Sequence, residues 1–152
     1  MKKWQTHIPC SPKDIGKIIL LPGDPNRSIM IGKNYLENSK MVASYREFVT
    51  FTGFYKGVTI SVTSTGIGSA STAIAVEELI NMGAKILIRV GTCGGALKKE
   101  ITPGSLIIPS AAIREEGTTR EYLPPEFPAI ADADVVRALS ISAKDQGFRS
   151  YV

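Results

Sequence analysis

A chain of 152 residues, 43% apolar and 21% charged, has the length of one ordinary domain with a sizeable core, and its composition argues against disorder. The net charge of +4 is scattered, with no basic run longer than a pair and no interleaved aromatics, so the sequence offers no nucleic-acid surface. Two distant cysteines, Cys10 and Cys93, match neither a zinc nor a disulfide framework and suit a reducing cytoplasmic compartment, and no segment nears the roughly 18 apolar residues of a membrane span.

The opening "MKKWQTHIPC" carries positive charge without an apolar stretch behind it, unlike a secretory signal. "KIILL" (17–21) is a continuous apolar run, as in a strand covered on both faces. It ends in the turn "PGDPNR", which leads into a short helix reaching about Gly32. The stretch 47–65 reads as two strands joined at Lys56 and Gly57. "GIGSAS" then opens a helix over about 69–82 with Ala73, Ile74, Val76, Leu79 and Ile80 on its apolar face, Glu77 and Glu78 on its solvated face and Gly83 at its end.

"KILIRV" is the next strand and 105–113, "SLIIPSAAI", another. A proline-rich loop follows, then a helix capped by Asp132 or Asp134 and ending at Gly147, and "FRSYV" begins a further strand. Alternating strands and helices predict an α/β domain with a largely parallel sheet. A last helix with almost no strand behind it suggests a chain cut short.

Glycines follow three strands: Gly23 the first, Gly66 and Gly68 the third, and Gly91, Gly94 and Gly95 the fourth. Turns need glycine anyway, but parallel sheets bind ligands beyond the carboxyl ends of their strands, so three such loops on one edge favour a small-molecule cleft. "TGIGSAS" also spells most of a dinucleotide fingerprint. The acid expected about 20 residues on is missing and Arg89 stands in that region, which leaves an NADP-binding, non-catalytic domain as a rival.

Arg27 falls at a helix start, where backbone N–H groups attract anions; Arg89 falls at a strand mouth three residues before Thr92, and Arg46 just before a strand. Guanidinium forks hold phosphate bidentately. The competing account pairs each arginine with a surface carboxylate. His7 alone reads as a tail histidine. Cys93 lacks a neighbouring activating histidine and is no nucleophile candidate.

Five stretches in order, "LPGDPNR", "SYREF", "STGIGSASTAIAVEEL", "RVGTCGG" and "EFPAIAD", resemble the nucleoside phosphorylase family that holds uridine phosphorylase and the hexameric purine nucleoside phosphorylases. The resemblance covers nearly the whole chain. It implies a three-layer α/β fold, with a mixed, largely parallel central sheet flanked by helices, and residues 1–152 as the N-terminal part of a single domain. It also implies a pentosyltransferase: inorganic phosphate, the co-substrate, attacks the anomeric carbon of a nucleoside and releases the base, with no cofactor required. Carried over by motif, Gly23, Arg27, Arg46, Arg89 and Thr92 resemble the phosphate ligands, Arg46 coming from a neighbouring subunit, and Arg89 with Thr92 the catalytic pair. His7 resembles the histidine that crosses the same interface to the ribose 5′-hydroxyl. Cys93 and Gly94 match positions beside the base, Cys93 departing from the threonine common in the pyrimidine enzymes.

Glu47, Ile67 and Ser71 match positions that bind potassium between paired subunits in some uridine phosphorylases; a carboxylate paired with an arginine and two helix-start residues explains them equally well. The expected partners are a nucleoside, phosphate and further copies of the chain, as dimers and hexamers, with neither nucleic acid nor membrane. The "EFPAIAD" loop favours uridine, with a purine nucleoside or methylthioadenosine as the alternative. The family's groups for the ribose 2′- and 3′-hydroxyls and for the departing base lie C-terminal to these motifs, so half a site is expected here. A scaffold subunit without turnover is a third reading.

Overall fold

The computed structural model describes residues 4–94, 98–99 and 101–152, which fall into two compact units, Met1–Thr92 and Cys93–Val152. The first unit is built on β1 (Ile18–Pro22), α1 (Pro25–Tyr35), β2 (Glu37–Tyr45), β3 (Phe48–Tyr55), β4 (Val58–Thr63), α2 (Ser69–Asn81) and β5 (Ile86–Val90). Its five strands lie in the order β2-β3-β4-β1-β5. β1 pairs in parallel with β4 and β5, whereas β2, β3 and β4 pair antiparallel, so the sheet is mixed.

The apolar run of β1 occupies the interior of this sheet and feeds both faces. Ile19 and Leu21 pack with Ala75, Leu79 and Met82 at α2, while Leu20 packs with Ile31 of α1 and with Val49, Phe51 and Val62. Helices therefore cover the sheet on both sides, giving the expected three layers. Each fully buried aliphatic side chain contributes about 1.5–3 kcal/mol relative to exposure.

Local signals explain most boundaries. The Asp24 side chain caps α1 by accepting from the Asn26 N–H at 2.9 Å, with Pro25 at the first helical position. Lys56 and Gly57 both take positive φ (48° and 78°), the conformation a tight two-residue hairpin demands. Gly83, at φ 102°, ends α2 by donating to the Ile80 carbonyl at 2.9 Å.

Two differences from the sequence reading have clear causes. α1 runs through Gly32 to Tyr35, because that glycine is a point of close approach and not a stop. A methyl built at Gly32 would lie 2.5–2.8 Å from three atoms of the Phe51 side chain. β2 was not expected at all. Its register shifts twice, between Glu37 and Lys40 and between Met41 and Ala43, which erases the alternation by which strands are recognised.

The sheet also buries a set of hydroxyls. Thr50 faces Thr63 at 3.1 Å and Thr52 faces Ser61 at 2.7 Å across β3 and β4, while Ser61 Oγ accepts the Gly16 N–H at 2.8 Å. Paired in this way, they avoid the cost of unsatisfied burial.

The second unit holds β6 (Leu106–Ile107), β7 (Ala111–Ala112), β8 (Ala129–Ile130), α3 (Ala133–Asp145) and β9 (Ser150–Tyr151). The single strand expected over 105–113 is two short ones, with Pro109, which has no N–H to give a ladder, between them. β6 pairs in parallel with β9, the strand expected in "FRSYV", and β7 pairs antiparallel with β8. Asp132 caps α3, accepting from the N–H groups of Asp134 and Val135 at 3.0 Å.

The loop between β7 and β8 contains a short 3₁₀ turn, Thr118–Glu121, and is organised by Arg114. Its guanidinium donates to the carbonyls of Thr119, Leu123, Pro124 and Phe127 and to the Thr119 hydroxyl. Glu116 caps the turn at the N–H groups of Thr118 and Thr119 and at the Thr119 hydroxyl.

Candidate functional site

Because β1, β4 and β5 run in parallel, their carboxyl ends share one edge of the sheet. β3 runs antiparallel to β4, so the 45–48 turn at its start falls on that same edge. Hydrogen bonds tie the strand ends together: Thr65 N–H donates to the Pro22 carbonyl and Gly66 N–H to the Gly23 carbonyl, both at 2.9 Å. The turns carrying Gly23, Gly66 and Gly91 thus sit on one edge as expected; Gly94 belongs to the second unit and Gly95 lies outside the described residues.

Arg89 is locked into this edge from one side only. Its Nη1 donates to the carbonyls of Leu21 at 2.9 Å and Val90 at 2.8 Å, and the guanidinium lies over Gly23 and Gly91. Among the described residues, no protein group accepts from its Nη2 or Nε. The geometry fixes the fork and leaves donors over for an anion. Gly23 permits this, since a side chain there would meet Nη2. Arg27 stands nearby in chain terms, half-buried in the first turn of α1 directly after β1, and Thr92 is exposed just past β5. Among the described residues the ion pairs are His7–Glu78 and Arg137–Asp134, and none involves Arg27, Arg46 or Arg89.

Arg46 occupies the β2–β3 turn at φ 52°, its guanidinium 5.4 Å from the centre of the Tyr45 ring. A side-chain hydrogen bond with Tyr45 raises its pKa further, so it is cationic at every working pH. β3 is two strand positions from β1 and three from β5. At the usual inter-strand spacing the base of Arg46 stands about 10 Å and about 14 Å from those strands. Gly23, Arg27, Arg89 and Thr92 thus belong to the adjacent strands β1 and β5 and the segments that follow them, and Arg46 to the turn before β3.

His7 belongs with Arg46. Its ring packs 5.7 Å edge-on to Phe48 and 6.5 Å from Tyr45, the two residues flanking the Arg46–Glu47 turn. It is not the partnerless tail histidine that its position suggested. Nδ1 lies 2.9 Å from Oε1 of Glu78, and the same carboxylate accepts the N–H groups of His7 at 3.0 Å and Ile8 at 2.8 Å. Glu78, expected on the solvated face of α2, is buried. The signal was present: Glu78 falls on the stripe of Ala75, Leu79 and Met82 that faces the core.

Glu47 and Ser71 meet at Gly66: a methyl built there would lie 2.6 Å from Glu47 Cγ and 3.2 Å from Ser71 Oγ. The Ser71 hydroxyl contacts the carbonyls of Thr65 at 2.6 Å and Ile67 at 3.1 Å. The Glu47 side chain, the Ser71 hydroxyl and the Ile67 carbonyl carry oxygen, the donor type that hard cations take. Cys93 and Gly94 are exposed. α2 links β4 to β5, yet β1 lies between those strands. A dinucleotide fingerprint instead joins neighbouring strands.

The family described as "Phosphorylase superfamily" matches residues 17–152. The uridine phosphorylase of Thermococcus kodakarensis is 49% identical over 148 residues, which are 97% of this chain and 53% of that protein. A crystal structure of purine nucleoside phosphorylase from Toxoplasma gondii in complex with immucillin-H superposes with a TM-score of 0.93 at 35% identity, over 99% of this chain and 60% of the other. Uridine phosphorylase from Vibrio fischeri ES114 superposes with a TM-score of 0.92 at 36% identity, over 97% and 61%. The chain spans about half the length of the curated relatives it matches.

Proposed function

The chain belongs to the phosphorylase superfamily, and from that premise we propose that it supplies the phosphate-binding part of a nucleoside phosphorylase, with uridine the favoured substrate. The observation that carries this is Arg89, anchored by Nη1 to two strand-end carbonyls while no described residue accepts from its other donors. In this reading Gly23, Arg27, Arg89 and Thr92 hold one face of the phosphate, and Arg89 with Thr92 orients it for attack. Arg46 and His7, displaced along the edge, serve the site of a neighbouring copy, Arg46 on its phosphate and His7 on the ribose 5′-hydroxyl. Cys93 and Gly94 line the base.

As the glycosidic bond lengthens, the departing base takes its electron pair and the sugar gains oxocarbenium character. A phosphate oxygen held on the opposite face stabilises that charge and then closes the new C–O bond. Positioning the two reactants can supply about 7–11 kcal/mol of the barrier. Phosphate is the co-substrate and no organic cofactor takes part. Glu47, the Ile67 carbonyl and Ser71 would hold a structural potassium ion between paired copies.

The 152 residues form the N-terminal part of one such domain, working in the cytoplasm in dimers that build a hexamer. Among the described residues no helix is long and apolar enough to cross a membrane. The likeness to the Toxoplasma purine enzyme supports a purine nucleoside as the second reading. The test is to incubate the intact protein with phosphate and a panel of nucleosides and score base release. Phosphate-dependent release from uridine is expected, release from purine nucleosides alone would favour the second reading, and release from none would reject both.

A further inference from the structure

The reading above gives Glu78 no part, yet it is the most committed acid in the first unit. Its side chain is only 11% exposed, and its two oxygens accept the N–H groups of His7 and Ile8 and face the His7 ring at Nδ1. Packing alone would be served by leucine on this stripe, beside Ala75, Leu79 and the fully buried Ile8. A buried carboxylate is costly unless its hydrogen bonds are met, and here they are met by one short segment, 7–8, that holds the only histidine of the chain.

We propose that Glu78 is a positioning residue for His7, presenting the imidazole as a preset hydrogen-bonding group for a primary hydroxyl on a ligand. The carboxylate holds the segment by its backbone and the ring by Nδ1, while Phe48 and Tyr45 wall the ring on other sides. A carboxylate can only accept, so Nδ1 carries the hydrogen. Nε2 is then the ring atom available to the ligand, and it accepts when the ring is neutral. Such second-layer carboxylates fix tautomer and ring orientation in the same way around metal-bound histidines. The ligand is the pentose 5′-hydroxyl, and this identification rests on the reading of His7 given above.

His7, the one histidine of these 152 residues, is the reporter. Imidazole 15N resonances of the protein in alkaline solution are expected to show a protonated Nδ1 and an unprotonated Nε2 in the wild type. In Glu78→Gln the ring is expected to shift toward the Nε2–H tautomer. Wild-type Nε2 protonation, or a tautomer unchanged in Glu78→Gln, would overturn the proposal, and the wild-type measurement stands even if the variant folds poorly. The second readout compares phosphorolysis of a nucleoside with that of its 5′-deoxy counterpart. Glu78→Gln is expected to lower the preference in kcat/KM for the hydroxylated substrate about tenfold, with the 5′-deoxy substrate unaffected. A preference left intact in Glu78→Gln would overturn the positioning role. A wild type with no preference would instead remove His7 from the ribose, and the tautomer would still decide what Glu78 does.

Discussion

Gly23 and Arg89 are in contact across two strand ends: a methyl built at Gly23 would stand 3.1 Å from Arg89 Nη2 and 3.2 Å from the Gly66 carbonyl oxygen. The guanidinium has little room to retreat, since its Nη1 is already bonded to two carbonyls. Gly23→Ala is therefore expected to push the free donors out of line and weaken phosphate binding about tenfold, or ~1.4 kcal/mol. Calorimetric titration with inorganic phosphate measures this, and an unchanged affinity would detach Arg89 from the anion.

Arg89→Lys separates charge from geometry. Lysine keeps the positive charge but cannot bond the Leu21 and Val90 carbonyls while offering a second pair of donors to an oxyanion. Phosphate affinity is expected to fall in Arg89→Lys nearly as far as in Arg89→Ala. Full retention in the lysine variant would reduce the site to a point charge.

Gly32→Ala tests the packing of α1 on the sheet. The added methyl would meet the Phe51 side chain at 2.5–2.8 Å, and Phe51 is itself buried. Overpacking of this kind costs about 1–3 kcal/mol. Urea unfolding should show that loss, and a second change, Phe51→Leu, should return part of it.

The two cysteines should differ sharply in reactivity. Burial first, then the charges of Asp14 and Glu78, push the Cys10 thiol up to about 11, whereas Cys93 is exposed. A maleimide near neutral pH is expected to label Cys93 alone in the native protein and both residues in denaturant. Stability should depend on alkaline pH with a definite sign. The unfolded chain releases the Cys10 proton near 9.0 and the native chain only near 11, so the contribution is complete below pH 9.0 and is lost as pH rises toward 11.

Arg114 should govern the loop of the second unit. Its five hydrogen bonds gather residues 119–127 around one guanidinium. Arg114→Ala leaves four carbonyls to find water, and proteolysis or amide exchange across 117–127 is expected to accelerate several-fold while residues 4–92 keep their protection. Arg114→Lys should not restore the loop, because an ammonium has three donors for five acceptors.

These contrasts mark what the amino-acid order could reveal. The parallel strands, the hairpin at Lys56 and Gly57 and the Asp132 cap were legible because each rests on local chemistry. The glycine loops were legible as a group for the same reason. β2 was not, since its bulges break the period, and Gly32 misled because a missing side chain signals either a stop or a close neighbour, and only Phe51 decides which. Arg89 was legible as a cation beside a glycine loop, but its bond to the Leu21 carbonyl was not, because 68 positions separate the two. Glu78 could have been placed on the buried stripe of α2; its bond to residue 7 could not, because 71 positions separate the two.

That separation also sets an order of events. A chain made from its amino end extrudes residues 7–10 well before the carboxylate that receives them, which arrives with α2 some 70 residues later. At a synthesis rate of about 5–20 residues per second, the leading segment waits several seconds with Ile8 and Cys10 still in water. Residues 7–10 are thus made long before the carboxylate that seats them.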